Sequence, residues 1–190
     1  MDFYDASSST NLSKYTALYQ NSATFTYDST EQAYKLSKSS GGFTTWKLNN
    51  VNIKQACKLT IDVKSVITSQ SNFNLQPRIG IMKDNNNGYA VARAYWADGQ
   101  KLNLNSISTS ADKSTLSTVN QSWSDNTWYT LELEIQNGTV TGKVYDSSGT
   151  LLNSVNTSNT LITGDTNMLV LQSYIRDGNV FIKNITYQKL

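Results

Sequence analysis

Between Trp123 and Val155 hydrophobic and polar positions alternate with a period of two, in two runs joined by Asn137-Gly138. Tyr129, Leu131, Leu133 and Ile135 fall on one side of the first run, and Thr130, Glu132, Glu134 and Gln136 on the other. That is the pattern of a strand with one face in a core and one in water. Asn-Gly suits a type I′ hairpin turn, whose two central residues both need positive φ. Val140, Gly142 and Val144 resume the inward side, and Asp146-Ser-Ser-Gly149 leads into a third strand. The alternation recurs with Leu59, Ile61 and Val63 inward in 58–67, and with Ile79 and Ile81 opposed to Gln76, Arg78 and Gly80 in 76–83. Segments 24–26, 33–37, 43–48, 89–96, 101–107, 168–176 and 179–189 also read as strands, the last two around Asp177-Gly178. Stretches 108–119 and 153–164 read as polar connections, while Leu12, Tyr15, Leu18 and Tyr19 mark a helical turn capped by Asn11. Strands spaced by turns, with no helix long enough for a crossover, predict an all-β, antiparallel jelly-roll β-sandwich. A chain of 190 residues suits one such domain over residues 1–190.

Composition narrows the chemistry. The chain has no histidine and one cysteine, Cys57, so an internal disulfide, a histidine-containing zinc site, a Ser-His-Asp triad and a Cys-His dyad are all excluded. Cys57 itself reads as a small core residue. A net charge of +2 with dispersed lysines leaves no electrostatic footprint for nucleic acid. No apolar run approaches the roughly 20 residues that span a bilayer, so membrane insertion is not expected. A Ser/Thr/Asn-rich, cysteine-poor β protein suits an extracellular, cell-surface or virion location.

The segments Trp128 to Ile135, Val144 to Leu151, Lys83 to Arg93 and Asn179 to Tyr187 resemble the strands and turns of the concanavalin A-like lectin and glucanase superfamily, in particular its laminin-G-like branch. The resemblance covers most of the chain. It implies two stacked antiparallel sheets and a range of roles: sugar binding, glycoside cleavage, adhesion and the receptor-binding parts of phage tails. Fold alone does not choose among these.

Three constellations are candidates for function. Glucanase relatives carry a row of carboxylates on one strand. The nearest equivalent is Glu132-Leu-Glu134-Ile-Gln136, a same-face pair that could act in glycoside hydrolysis or simply form a solvated strand face. The three arginines, Arg78, Arg93 and Arg176, fall on strand parities that read as outward, Arg93 with Tyr89 and Tyr95, Arg176 with Gln172 and Tyr174. With the turn-edge Trp96 they predict a ligand-binding face of guanidinium forks and aromatic rings suited to a sugar. The competing reading pairs the arginines with Asp62, Glu132 or Glu134 across strands. No cofactor is required, though calcium is a candidate at Asp84-Asn-Asn-Asn-Gly88 or where Asp2, Asp5 and Asp177 converge. These readings favour a non-catalytic carbohydrate-binding or adhesion module of a larger protein, its partner a cell-surface or extracellular glycan, with oligomers formed through the parent protein. The alternatives are a structural, assembly or receptor-binding phage-tail domain without a small ligand, and a glycoside hydrolase using Glu132 and Glu134.

Overall fold

The computed structural model describes residues 2–3, 12–38, 40–97 and 99–190, and its strands, numbered in chain order, form two antiparallel sheets. The first sheet runs β13 (Leu151–Ser158), β12 (Thr139–Tyr145), β11 (Tyr129–Gln136), β6 (Cys57–Ile67), β15 (Gly178–Lys189), β4 (Ala33–Ser37), β3 (Thr24–Asp28). The short β1 (Asp2–Phe3) also pairs with β15. The second sheet runs β10 (Asp112–Asn120), β9 (Gly99–Ile107), β8 (Asn87–Trp96), β7 (Asn74–Asp84), β14 (Met168–Arg176), β5 (Gly42–Leu48), β2 (Tyr15–Tyr19). The chain crosses between sheets after β1, β2, β4, β5, β6, β10, β13 and β14, so most neighbours within a sheet are distant in sequence. This is an antiparallel jelly-roll sandwich.

The core fills the space between the sheets. Leu59, Ile61, Val63, Leu131, Leu133, Val140 and Val144 of the first sheet meet Leu75, Ile79, Ile81, Val91, Leu104 and Leu171 of the second, all fully buried. Each such side chain contributes about 1.5–3 kcal/mol of transfer free energy, as an upper bound. At Gly142 the layers approach closely: a Cβ there would lie 2.8 Å from Val91 Cγ2 and 3.2 Å from Val155 Cγ2. The β11–β12 turn has the expected type I′ sign, with φ of 51° at Asn137 and 73° at Gly138.

Three sequence expectations change. Residues 112–120 are strand β10, not a connection, and the strand expected after Gly149 runs on as β13 to Ser158, into the stretch expected to be a connection. They are edge strands with mostly exposed side chains, which removes the apolar alternation by which a strand is recognised. The turn near the N-terminus is a single 3₁₀ turn, Leu12–Lys14, after which Tyr15 enters the core as the start of β2. Asn11 and Asp5 lie outside the described residues.

Cys57 opens β6 facing the core and is wholly buried. Burial, reinforced by the charge of Glu134, pushes its thiol pKa from 9.0 up to about 12. The folded state thus holds a proton that the unfolded chain releases near pH 9.0. This linkage therefore makes stability fall as pH rises from about 9 toward 12. Native protein at pH 9 is expected to resist a thiol-specific disulfide reagent, whereas protein in denaturant takes up one equivalent. Rapid labelling of the native protein would contradict the burial of Cys57.

Candidate functional site

The second sheet has two faces, and the parity of its strands decides which residues share them. On β7 the core takes Leu75, Ile79 and Ile81, leaving Gln76, Arg78, Gly80 and Met82 on the outer face. On β14 the outer face carries Val170, Gln172, Tyr174 and Arg176. On β8 it carries Ala90, Ala92, Ala94 and Trp96. Register then builds one row across five strands: Asn103, Ala92, Arg78, Gln172 and Thr45 are successive Cα partners from β9 to β5.

The middle of this face is occupied by the protein itself. The tip of the β9–β10 hairpin, residues 108–111, and Asp112 beside it reach across the face to β7, β14 and β5. Both oxygens of Asp112 accept hydrogen bonds from the Arg78 guanidinium, the Nη2–Oδ2 bond at 2.9 Å. Asn105 Nδ2 donates to the same carboxylate at 3.1 Å. Ser108 O accepts from Gln172 Nε2 at 2.8 Å and Thr109 O from Thr45 Oγ1 at 2.6 Å. Arg78 is fully buried beneath this lid, with Gln172 and Gln76 amide oxygens as further acceptors and the Phe43 ring 4.9 Å from its Cζ. The arginine on the expected face thus has an ion-pair partner, but it is Asp112, which the sequence did not single out.

Arg93 corrects the expectation most sharply. It does share a parity with Tyr89 and Tyr95, but that parity points between the sheets, and the alanines of β8 hold the outer side. The Arg93 guanidinium lies 4.6 Å from the Tyr95 ring centre, 5.1 Å from Tyr129 and 5.3 Å from Trp123. Its Nη2 donates to Ser124 O at 2.9 Å, while Nε and Nη1 have no partner among the described residues. Burial draws its pKa down to about 10, and the three rings supply cation–π stabilisation in place of a carboxylate. Tyr89 is likewise internal, its hydroxyl accepting from Thr160 N at 2.8 Å and Leu161 N at 3.2 Å. Tyr89, Arg93 and Tyr95 therefore do not belong to an exposed ligand face.

Trp96, Tyr174 and Arg176 remain partly open on the outer face, at the end of the sheet beyond the lid. Register brings them together, since Asn74 on β7 faces both Trp96 and Arg176. Trp96 and Arg176 border a cleft of about 250 Å³ lined also by Phe73, Asn74, Gln76 and Ala97. Arg176 Nη2 donates to Tyr174 OH at 3.2 Å, and no carboxylate pairs with it among the described residues. Gln76 bridges the cleft to the lid: its Nε2 donates to Asn74 Oδ1 at 2.8 Å and its Oε1 accepts from Arg78. Asn74, Phe73 and Gln76 were not among the expected site residues; the parity Gln76 shares with Arg78 was the only signal for any of them. Larger clefts of about 400 and 440 Å³ elsewhere have no aromatic lining.

Glu132 and Glu134 lie on the outer face of the first sheet, the opposite side of the sandwich. Lys143 Nζ bridges them at 2.8 and 3.1 Å. Burial works against the Lys143 charge, but hydrogen bonds to both glutamates outweigh it and raise its pKa. One cation thus ion-pairs with both carboxylates, so neither is left unpaired on this face. Asp62 is also occupied, accepting from Thr130 Oγ1 at 2.6 Å and Asn184 Nδ2 at 2.7 Å. On the same face Trp128 is half-exposed under Lys183 Nζ, 4.1 Å from its ring centre. Asp84 accepts from Asn86 N at 2.8 Å and from Asn87 Nδ2 at 3.0 Å. Hydrogen bonds, that from Asn87 foremost, lower its pKa. Those bonds make a turn, and among the described residues no three carboxylate, histidine or cysteine side chains converge to hold a metal.

Residues 32–180 match the family model for the SO2946-like C-terminal domain. Among solved structures the chain is similar to carbohydrate-binding module CBM66 from Bacillus subtilis, at 14% identity over 93% of this chain and 96% of that one, with a TM-score of 0.64. It is similar to metal-free lectin I-B4 from Griffonia simplicifolia, at 9% identity over 100% of both chains, with a TM-score of 0.70. It is also similar to SO2946 from Shewanella oneidensis MR-1, a protein of unknown function, at 14% identity over 99% of this chain and 88% of that one, with a TM-score of 0.57. At these identities the likeness is one of fold, the concanavalin A-like jelly roll. No curated protein matches the chain.

The lid predicts its own test. Asp112→Ala strands the buried Arg78 charge and is expected to cost about 3 kcal/mol in urea unfolding, the lower end for orphaning a buried ion, because the Asp112 side chain is 33% exposed. Amide exchange should quicken across 108–111. A loss under 0.5 kcal/mol, about the level of an ordinary surface substitution, would show that the lid does not depend on this pair.

Proposed function

The chain belongs to the SO2946-like C-terminal domain family, and on the premise of one domain serving a longer protein we propose that it is a non-catalytic carbohydrate-binding module. It acts as an adhesion element of an extracellular, cell-surface or virion protein, taking a glycan sugar into the cleft between Trp96 and Arg176. The observation that carries this reading is the company Trp96 keeps. A half-exposed indole borders the same cleft as two carboxamides and a guanidinium. An aromatic ring can cover the apolar face of a pyranose while planar donors and acceptors reach its hydroxyls. The carbohydrate-binding module and the lectin that share the fold support the class of ligand. The Lys143 clamp on Glu132 and Glu134 supports binding without hydrolysis.

Such a shallow cleft gives weak single-site affinity, which several displayed copies raise through effective concentration. The test is a glycan array followed by titration of a hit against Trp96→Ala. That variant should lose about tenfold or more in affinity, equivalent to 1.4 kcal/mol, with little change in thermal midpoint. Unaltered binding by Trp96→Ala would remove the cleft from the proposal. Silence on every glycan together with a stable oligomer in solution would favour the assembly role.

A further inference from the structure

We infer that the cleft selects a sugar bearing a carboxylate, held on Arg176, over its neutral counterpart. The inference rests on the carbohydrate-binding reading of the Trp96 cleft and names the class of sugar. Its ground is the contrast among three arginines in one molecule. Arg78 has Asp112 across its fork, and Arg93 has three aromatic rings. Among the described residues Arg176 has only the Tyr174 hydroxyl at 3.2 Å and that ring's face at 6.0 Å, and the described residues lining its cleft include no carboxylate. Of the three, only Arg176 lines an open cleft and remains partly exposed.

The same face already shows how a carboxylate seats. Asp112 accepts from both terminal nitrogens of Arg78, with a carboxamide on either side, Gln76 and Gln172, accepting further bonds from the same guanidinium. Two residues along the strand from Gln76, Asn74 is the register partner of Arg176, and both carboxamides line its cleft. A sugar acid with its ring on Trp96 would place its carboxylate against that fork. The backbone holds the guanidinium in place: a Cβ at Gly41 would lie 2.5 Å from Arg176 Nε and 2.8 Å from Tyr174 OH, so the Gly41 turn packs directly on both side chains. A fixed planar fork discriminates by geometry as well as by charge.

The test titrates the full chain, followed by backbone and indole NMR, with glucuronic, galacturonic and N-acetylneuraminic acids, each against glucose, galactose or N-acetylmannosamine. At least one acid is expected to bind about tenfold tighter than its neutral counterpart, to shift the Trp96 indole signal and to weaken as sodium chloride is raised. Arg176→Gln should bring acid and neutral sugar to equal affinity while keeping the thermal midpoint. Arg176→Lys, which keeps the charge without the fork, should retain part of the preference and serves if the glutamine variant folds poorly. Neutral sugars shifting Trp96 as strongly as the acids would overturn this inference and leave the carbohydrate reading standing. No response of Trp96 to any sugar would overturn both.

Discussion

Double coverage of the second sheet is the constraint on which the rest of the structure depends. One side of β7, β8 and β14 packs on the first sheet, and the other lies under the tip of the β9–β10 hairpin, so these strands are buried almost continuously along their length. A sheet covered on both faces cannot leave its polar groups to water. Three of them find partners in the lid: Arg78 with Asp112, Gln172 with Ser108 O, Thr45 with Thr109 O. Leaving one buried charge without its partner costs more than the loss of most single apolar contacts, which makes Asp112 the pin of the arrangement.

This constraint also separates what the sequence discloses from what it conceals. The first sheet has a wet outer face, so β6, β11 and β12 alternate cleanly and their inward residues can be read directly. The turn at Asn137-Gly138 is equally plain, because backbone sterics alone dictate its residues. On β8 the alternation persists but its sense inverts: Tyr89, Arg93 and Tyr95 look like the decorated side and are the inner one. Nothing local tells small residues under a lid from small residues in a core. The long-range pair Arg78–Asp112, 34 positions apart, carries no local signature at all. Strand β10 and the far part of β13 are hidden for the opposite reason, being edges with little to bury.

The three arginines illustrate how one side-chain type takes different roles from its surroundings. Arg78 is neutralised by a carboxylate and fastens a lid. Arg93 is stabilised by ring faces and ties the Trp123–Ser124 connection to the end of β8. Arg176 stays half in water with a single neutral acceptor. Sequence reasoning put two of them, Arg78 and Arg176, on the correct face, along with Gln172 and Tyr174, whereas Trp96 entered only as a turn-edge ring. It could not see that the middle of that face was already filled.

The filled middle gives the open end its properties. Trp96 ends β8, Arg176 ends β14 and Asn74 begins β7, so the ring, the guanidinium and the first carboxamide are fixed by strand register rather than by mobile loops. The hairpin tip pins Arg78, Arg78 holds Gln76, and Gln76 in turn holds Asn74, so order passes from the lid to the cleft through side-chain hydrogen bonds. A binding face assembled this way loses little conformational entropy when a ligand arrives, and that saving matters most where the contact area is small. The lid therefore both removes the centre of the sheet from use and stiffens the edge that stays available.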